Sequence, residues 1–285
     1  MYNKVVKTTF VLKITKRRIG IEMLNFSKEK FDIIIQAGQS NAQGTGIGAV
    51  EKEYCPTDKV YYLNSEKTVD VVESGLKIEF AGAPFQIEIA QECPVNGELT
   101  GDFSLTFAEN YIKQGLLKED RKILIVRAAI GGTGFFKKHW GLEDILYLKM
   151  LEMVDHALGL NPENKVVAFL WHQGEHDAVE GNTASRYYEQ LSTLLKSVRA
   201  RYGAEIPFIA GDFVNEWKMK NIEACEPIVG AIKKVVKDTP LCAFVETSDL
   251  LSNNQKTSNG DDIHFCRQAL HVLGARYFDA FLRCQ

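Results

Sequence analysis

Short runs of consecutive apolar residues alternate along this chain with stretches in which apolar residues recur every three to four positions. Runs such as residues 33–37 and 166–171 are typical of strands buried on both faces of a parallel sheet. The stretches between the runs have the spacing of amphipathic helices. This alternation predicts an α/β fold, a three-layer α/β/α sandwich in which helices cover both faces of a parallel sheet.

The pattern predicts five strands and five helices. The strands are expected at residues 33–37, 122–128, 166–171, 207–211 and 241–245, and the helices at 102–115, 142–158, 187–198, 228–236 and 270–281. Residues 50–101 are less regular, with a strand-like piece at 59–63 and alternation near 77–80. They are interpreted as an insertion that covers the strand ends, where loops that shape a substrate site tend to lie.

No linker or repeat divides the rest of the chain, so residues 23–285 are predicted to form a single domain. Residues 1–22 interleave basic residues with short apolar pieces. They are interpreted as an extra N-terminal segment, which is a hairpin, a transit-like segment or a stretch upstream of a natural start at Met23. The basic residues at 13–18 interrupt the apolar core that a secretory signal requires.

Composition narrows the function. The chain has 285 residues, 45% of them apolar and 25% charged, and a formal net charge of −3, which is typical of a globular protein and argues against a nucleic-acid partner. No stretch has the length of about 18 apolar residues that a membrane span needs. The six cysteines are scattered without a C-x-x-C pair, so neither a zinc site nor a disulfide framework is indicated. Free thiols favour a reducing compartment, and a cytoplasmic location is expected.

Four loops rich in polar residues or glycine lie where chemistry is expected. Three follow predicted strands and the fourth precedes the last helix: Gly38-Gln39-Ser40-Asn41, Gly131-Gly132-Thr133, His172-Gln173-Gly174-Glu175 and Asp261-Asp262-Ile263-His264. Because the carboxyl ends of parallel strands meet at one edge of a sheet, these loops should converge.

Each loop has a role in a hypothesis of nucleophilic catalysis. Ser40 would be the nucleophile and His264 its general base, with Asp261 three residues earlier within reach of the imidazole Nδ1. Oxyanion-hole groups are expected from Ser40, from the backbone amides at Gly131 or Gly132, and from the side chain of Gln173.

Substrate contacts are expected from four further residues. Gln39 and Asn41 flank the candidate nucleophile, and Trp140 and Trp217 follow strand-end loops. The two tryptophans can either stack on a sugar ring or pack in the core. No metal ion and no cofactor is expected.

The motifs resemble those of the SGNH hydrolases rather than the G-x-S-x-G elbow of the α/β-hydrolases. The blocks Gly38-Gln39-Ser40-Asn41, Ala129-Ile130-Gly131-Gly132-Thr133, Trp171-His172-Gln173-Gly174-Glu175-His176-Asp177 and Asp261-Asp262-Ile263-His264-Phe265 occur in the order found in one branch, the sialate O-acetylesterase and acetylxylan esterase-like carbohydrate esterases. Asp262 and His176 depart from this pattern, in which glycine and serine are usual.

This resemblance implies a flavodoxin-like fold and metal-free hydrolysis of acyl esters on sugars. It carries Ser40 and His264 over as nucleophile and base. For the third member, the superfamily uses the residue at Asp261, whereas in this branch Glu175 has a competing claim. Asp261 is favoured because its connection to His264 is short.

The sequence therefore predicts a serine esterase that removes short acyl groups, above all acetyl, from carbohydrates through an acyl-enzyme. Its partner would be an acetylated sugar or oligosaccharide, with no nucleic acid and no membrane. The alternatives are a lipase or thioesterase of the same superfamily and a non-catalytic glycan-binding protein of the same fold.

Overall fold

A computed structural model describes residues 26–285 of the chain, except residues 74, 83 and 96. Its strands are β1 (Lys30–Gly38), β2 (Val60–Asn64), β3 (Lys67–Val72), β4 (Gly75–Phe80), β5 (Gln86–Ile89), β6 (Cys93–Val95), β7 (Glu98–Thr100), β8 (Arg121–Arg127), β9 (Lys165–His172), β10 (Phe208–Gly211) and β11 (Cys242–Val245). Its helices are α1 (Ser40–Gln43), α2 (Phe103–Lys113), α3 (Ile145–Gly159), α4 (Glu175–Val179), α5 (Ala184–Tyr202), α6 (Asn215–Lys220), α7 (Ile222–Asp238), α8 (Asn253–Thr257) and α9 (Arg267–Leu282), and a single 3-10 turn spans Phe26–Lys28.

The central sheet has seven strands in the order β11-β10-β9-β1-β8-β2-β5. Strand β5 is antiparallel to β2, and the other neighbours are parallel. The five strands predicted from the sequence lie side by side as β8-β1-β9-β10-β11. This is the order of flavodoxin-like sheets, in which the chain reverses direction across the sheet beside β1 and ligands bind at that point.

Helices cover both faces of the sheet because alternate residues of each buried strand point to opposite sides. Ile33 and Ile35 of β1 share one core with α3, α5 and α7. Ile34 lies in the other core, with α2 and α9. The three-layer α/β/α arrangement predicted from the sequence is therefore present.

The predicted count of five strands is wrong, because residues 50–101 contribute two further strands to the sheet. Tyr61, Tyr62 and Leu63 of β2 are buried and pair with β8, so the strand-like piece at 59–63 belongs to the core rather than to an inserted loop. Strand β5 is mostly exposed and carries no apolar run. Its position depends on backbone pairing with β2, which a hydrophobic pattern does not reveal.

The rest of residues 50–101 forms two antiparallel hairpins, β3–β4 and β6–β7. The proposed N-terminal segment of residues 1–22 lies outside the described residues. Within the described part of the chain, no helix is long and apolar enough to cross a membrane, and no group of three or more His, Cys, Asp or Glu side chains is arranged to hold a metal ion.

Candidate active site

Ser40 lies at the carboxyl end of β1, where the chain turns sharply into the short helix α1. The turn depends on Gly38, whose φ is +134°. A Cβ there would lie only 2.1 Å from the backbone oxygen of His172, so no larger residue fits. The amide of Gln39 then donates to the same His172 oxygen at 3.0 Å. These contacts place Ser40, which is 8% exposed, at the junction of β1 and β9.

Asn41 connects the loop that carries His264 to the helix that begins with Ser40. Its Oδ1 accepts from the amide of Phe265 at 3.0 Å, and its Nδ2 donates to the carbonyl of Ile263 at 3.1 Å. The fully buried Asn41 side chain therefore binds the residues on both sides of His264. Because Asn41 follows Ser40 directly, this pair of hydrogen bonds holds the histidine loop next to the serine.

His264 is oriented by Asp261. The imidazole Nδ1 lies 2.8 Å from Oδ1 and 2.9 Å from Oδ2 of Asp261, and Asn253 Nδ2 donates to the same Oδ2 at 2.9 Å. Burial opposes ionisation of Asp261, but the hydrogen bonds from His264 and Asn253 outweigh it and lower the pKa of the carboxyl group. An ionised Asp261 favours a proton on Nδ1, which leaves Nε2 to act as a base.

Glu175, the other candidate for the orienting carboxylate, bonds to Asn41 and not to His264. Its Oε1 accepts from Asn41 Nδ2 at 2.9 Å and lies 3.9 Å from His172 Nε2. Complete burial raises the pKa of its carboxyl group, although the bond from Asn41 acts in the opposite direction. Glu175 thus bonds to the residue that holds the histidine loop, whereas Asp261 bonds to His264 itself.

The Ser40 hydroxyl has no hydrogen-bond partner in the described part of the chain. The loops that carry Ser40 and His264 are joined through Asn41, and catalytic hydrogen bonds of unliganded sites often close only when substrate binds.

The backbone amides predicted to donate to the oxyanion differ in whether they already make a hydrogen bond. The amides of Ser40 and Gly132 donate to no acceptor among the described residues, and Gly132 has a φ of +70°. Gly131 packs against the serine, since a Cβ at this position would lie 3.3 Å from Ser40 Cβ. Its amide, however, donates to Gln43 Oε1 at 2.9 Å.

The prediction for Gln173 is wrong. Its Nε2 donates to Asp177 Oδ2 at 2.7 Å and to the carbonyl of Thr133 at 3.1 Å, and the residue has no exposed surface. Both of its amide hydrogens are therefore engaged, and Gln173 braces the loops after β8 and β9 instead of facing a substrate.

The four predicted substrate contacts find no support in the structure, since all four side chains are buried and contact other parts of the protein. Gln39 Oε1 accepts from the amide of His176 at 3.1 Å, and Asn41 holds the histidine loop as described above. Trp140 donates to Thr133 Oγ1 and packs edge-on against Trp171, with ring centroids 5.2 Å apart. Trp217 packs against Phe213. Two of these residues brace loops and two belong to the core.

Sequence reasoning missed Gln43 and Asn253. Gln43 lies three residues after Ser40, so the two share a helix face, and this spacing was a usable signal. Asn253 bonds to Asp261 from α8, and its own amide donates to the carbonyl of His264 at 2.8 Å. No local pattern marks Asn253, because its role depends on how α8 packs.

A cleft opens beside Gly132, and we call it the hairpin cleft. Its volume is about 430 Å³. The lining residues come from the β3–β4 hairpin, from the loop after β8 and from α4 with the residue that follows it: Val71, Val72, Glu73, Gly75, Leu76, Gly132, Lys137, His139, His176 and Glu180.

A doubly wound sheet that carries a serine, a histidine and a carboxylate at its topological switch point defines a class of α/β hydrolytic proteins. Comparison with known families agrees with this class and identifies the family. The model of the carbohydrate esterase, sialic acid-specific acetylesterase family matches residues 30–283, and the chain belongs to this family.

The individual relatives described next share less than 30% sequence identity with this chain. A probable carbohydrate esterase of Arabidopsis thaliana is 28% identical over 175 residues, which cover 59% of this chain and 62% of the relative. A probable 9-O-acetyl-N-acetylneuraminic acid deacetylase of Escherichia coli K12 is 22% identical over 245 residues, covering 72% and 73% of the two chains. The crystal structure of NanS superposes with a TM-score of 0.69 at 19% identity, over 90% of this chain and 98% of that chain, and it shares the fold.

Proposed function

We propose that this protein is a serine esterase that removes O-acetyl groups from carbohydrates. The observation that carries the proposal is the connection from Ser40 through Asn41 to the His264–Asp261 pair. It supplies a nucleophile, a base and an orienting carboxylate at one end of the sheet. Membership of the carbohydrate esterase family supports a sugar ester as substrate.

The proposed mechanism has two halves. His264 Nε2 takes the proton of the Ser40 hydroxyl as Oγ attacks the acetyl carbonyl. The tetrahedral intermediate then collapses, and the sugar leaves with that proton. Water, deprotonated by His264, attacks the acetyl-serine and releases acetic acid, which regenerates the Ser40 hydroxyl. The amides of Ser40 and Gly132 are the proposed donors to the oxyanion in both halves.

The acyl group should be short. The family to which the chain belongs is described as an acetylesterase family, so acetyl is the acyl group expected on Ser40.

We therefore expect the purified protein to hydrolyse p-nitrophenyl acetate and to prefer it to p-nitrophenyl octanoate by at least about 10-fold in kcat/KM. Release of p-nitrophenolate measures both rates. A preference for the octanoate would favour a lipase, and an inactive protein that still binds sugars would favour a glycan-binding role.

A further inference from the structure

The four side chains that the sequence suggested as substrate contacts are buried and engaged within the protein, so an exposed cleft is the better candidate for holding the sugar. The hairpin cleft reaches the loop that packs against the candidate nucleophile. Leu76 Cδ1 lies 3.2 Å from where a Cβ of Gly132 would be, and the adjoining Gly131 packs against Ser40. A volume of about 430 Å³ is within the range of small-ligand sites.

The lining of the cleft combines apolar and polar groups in the way that a sugar ring requires. Val71 and Val72 of the hairpin are exposed, and Val71 is 87% accessible. Two histidines, His139 and His176, lie near each other with tilted rings whose centroids are 6.3 Å apart. His139 Nδ1 accepts from the amide of Gly134 at 3.1 Å, so the neutral ring carries its proton on Nε2 and can donate to a hydroxyl group.

The charges of the cleft point to the kind of sugar. Burial lowers the pKa of both His139 and His176, so both rings are neutral at neutral pH. Among the described residues that line the cleft, Lys137 is the single lysine or arginine, and its Nζ lies 2.8 Å from Glu180 Oε2. Glu73 adds a second, exposed carboxylate. The lining of the cleft thus carries one cation and two carboxylates, and the cation is already paired with one of these carboxylates.

The rest of the β3–β4 hairpin does not reverse this balance. Lys77 is paired with Glu79 at 2.7 Å, and Lys67 lies at the end of the hairpin opposite its turn and does not line the cleft. A carboxylate on the substrate would meet no unpaired cation among the described residues of the cleft, and it would lose hydration on entry.

We propose that the hairpin cleft binds the sugar ring of the substrate and selects uncharged acetylated sugars over acetylated sugars that carry a carboxylate. This proposal rests on the proposed esterase function and adds to it the chemical class of the sugar.

Steady-state kinetics with two natural-type esters test the selection. The uncharged substrate is an acetylated xylo-oligosaccharide and the charged one is 9-O-acetyl-N-acetylneuraminic acid, with p-nitrophenyl acetate as the reference without a sugar. We expect kcat/KM to be at least about 10-fold higher for the uncharged ester, which corresponds to roughly 1.4 kcal/mol.

The variant Glu180→Gln tests whether the sugar binds in the hairpin cleft. It removes one negative charge and leaves Lys137 unpaired, so the ratio of kcat/KM for the charged ester to that for the uncharged ester should rise about 3- to 10-fold, mainly through a lower KM for the charged ester. Glu246→Gln is the matched control. It breaks the exposed Lys233–Glu246 ion pair, which measures 2.9 Å and lies outside the cleft, and it should leave the ratio unchanged.

The outcomes separate the two proposals. A wild-type enzyme that hydrolyses p-nitrophenyl acetate but prefers the charged ester overturns the selection alone. An unchanged ratio in Glu180→Gln overturns the assignment of the cleft. A protein that hydrolyses none of the three esters contradicts the esterase function, and the selection falls with it.

Discussion

Replacing Ser40 by alanine is expected to lower kcat for p-nitrophenyl acetate by a factor on the order of 10⁴–10⁶. Alanine removes the Oγ that would become acylated and leaves the surrounding loops intact, because the Ser40 hydroxyl bonds to no described group. The remaining rate would come from polarisation of the ester by the amides of Ser40 and Gly132. Initial rates at saturating substrate measure the loss.

The matched control is Ser185→Ala. Ser185 is exposed near the start of α5, and its substitution should leave the rate unchanged. Thermal unfolding of both variants checks that neither has lost its fold. If the Ser40 variant is folded and keeps more than a tenth of the activity, Ser40 is not the nucleophile.

Replacing Asp261 by asparagine is expected to lower kcat by about 10²–10⁴. Asparagine can accept a hydrogen bond from Nδ1 through its oxygen, but it carries no charge to stabilise an imidazolium, and its amide end favours the wrong tautomer. The bond from Asn253 to the same side chain would be weakened as well. The initial rate of p-nitrophenyl acetate hydrolysis is the readout.

The companion variant, Glu175→Gln, separates the two candidate carboxylates. Glutamine retains an oxygen that can accept from Asn41 Nδ2, and the buried carboxyl group it replaces has a raised pKa. We therefore expect kcat to change by less than about 10-fold. A large loss in folded Glu175→Gln, together with a small one in Asp261→Asn, would reverse the assignment and make Glu175 the orienting carboxylate.

The layers of the fold could be predicted from the sequence because buried parallel strands leave continuous apolar runs, as in residues 33–37. The full sheet of seven strands could not be predicted in this way. The sequence indicates strand β2 as a strand-like piece but places it in an insertion, and the mostly exposed edge strand β5 has only four residues, too few for its alternation to stand out. Both are defined by pairing with strands distant in the sequence.

At the site, the convergence of the four loops follows from strand order, and the Asp261–His264 contact follows from a separation of three residues. The direction of a side chain does not follow from either. Trp140 is fully buried and Gln173 donates to Asp177, although their positions after strand ends suggested contact with a substrate. Asn41 holds His264 through bonds to residues more than 200 positions away, which no local pattern indicates.

The central claim is that Ser40 carries the acetyl group during the reaction. Rapid acid quenching of the enzyme during turnover of p-nitrophenyl acetate, followed by peptide mass spectrometry, tests it directly. The activated ester should make deacylation the slower step, so that acyl-enzyme accumulates. We predict one added acetyl group on the peptide that contains Ser40, and none on that peptide in Ser40→Ala. An active enzyme that carries acetyl on another side chain would contradict the account.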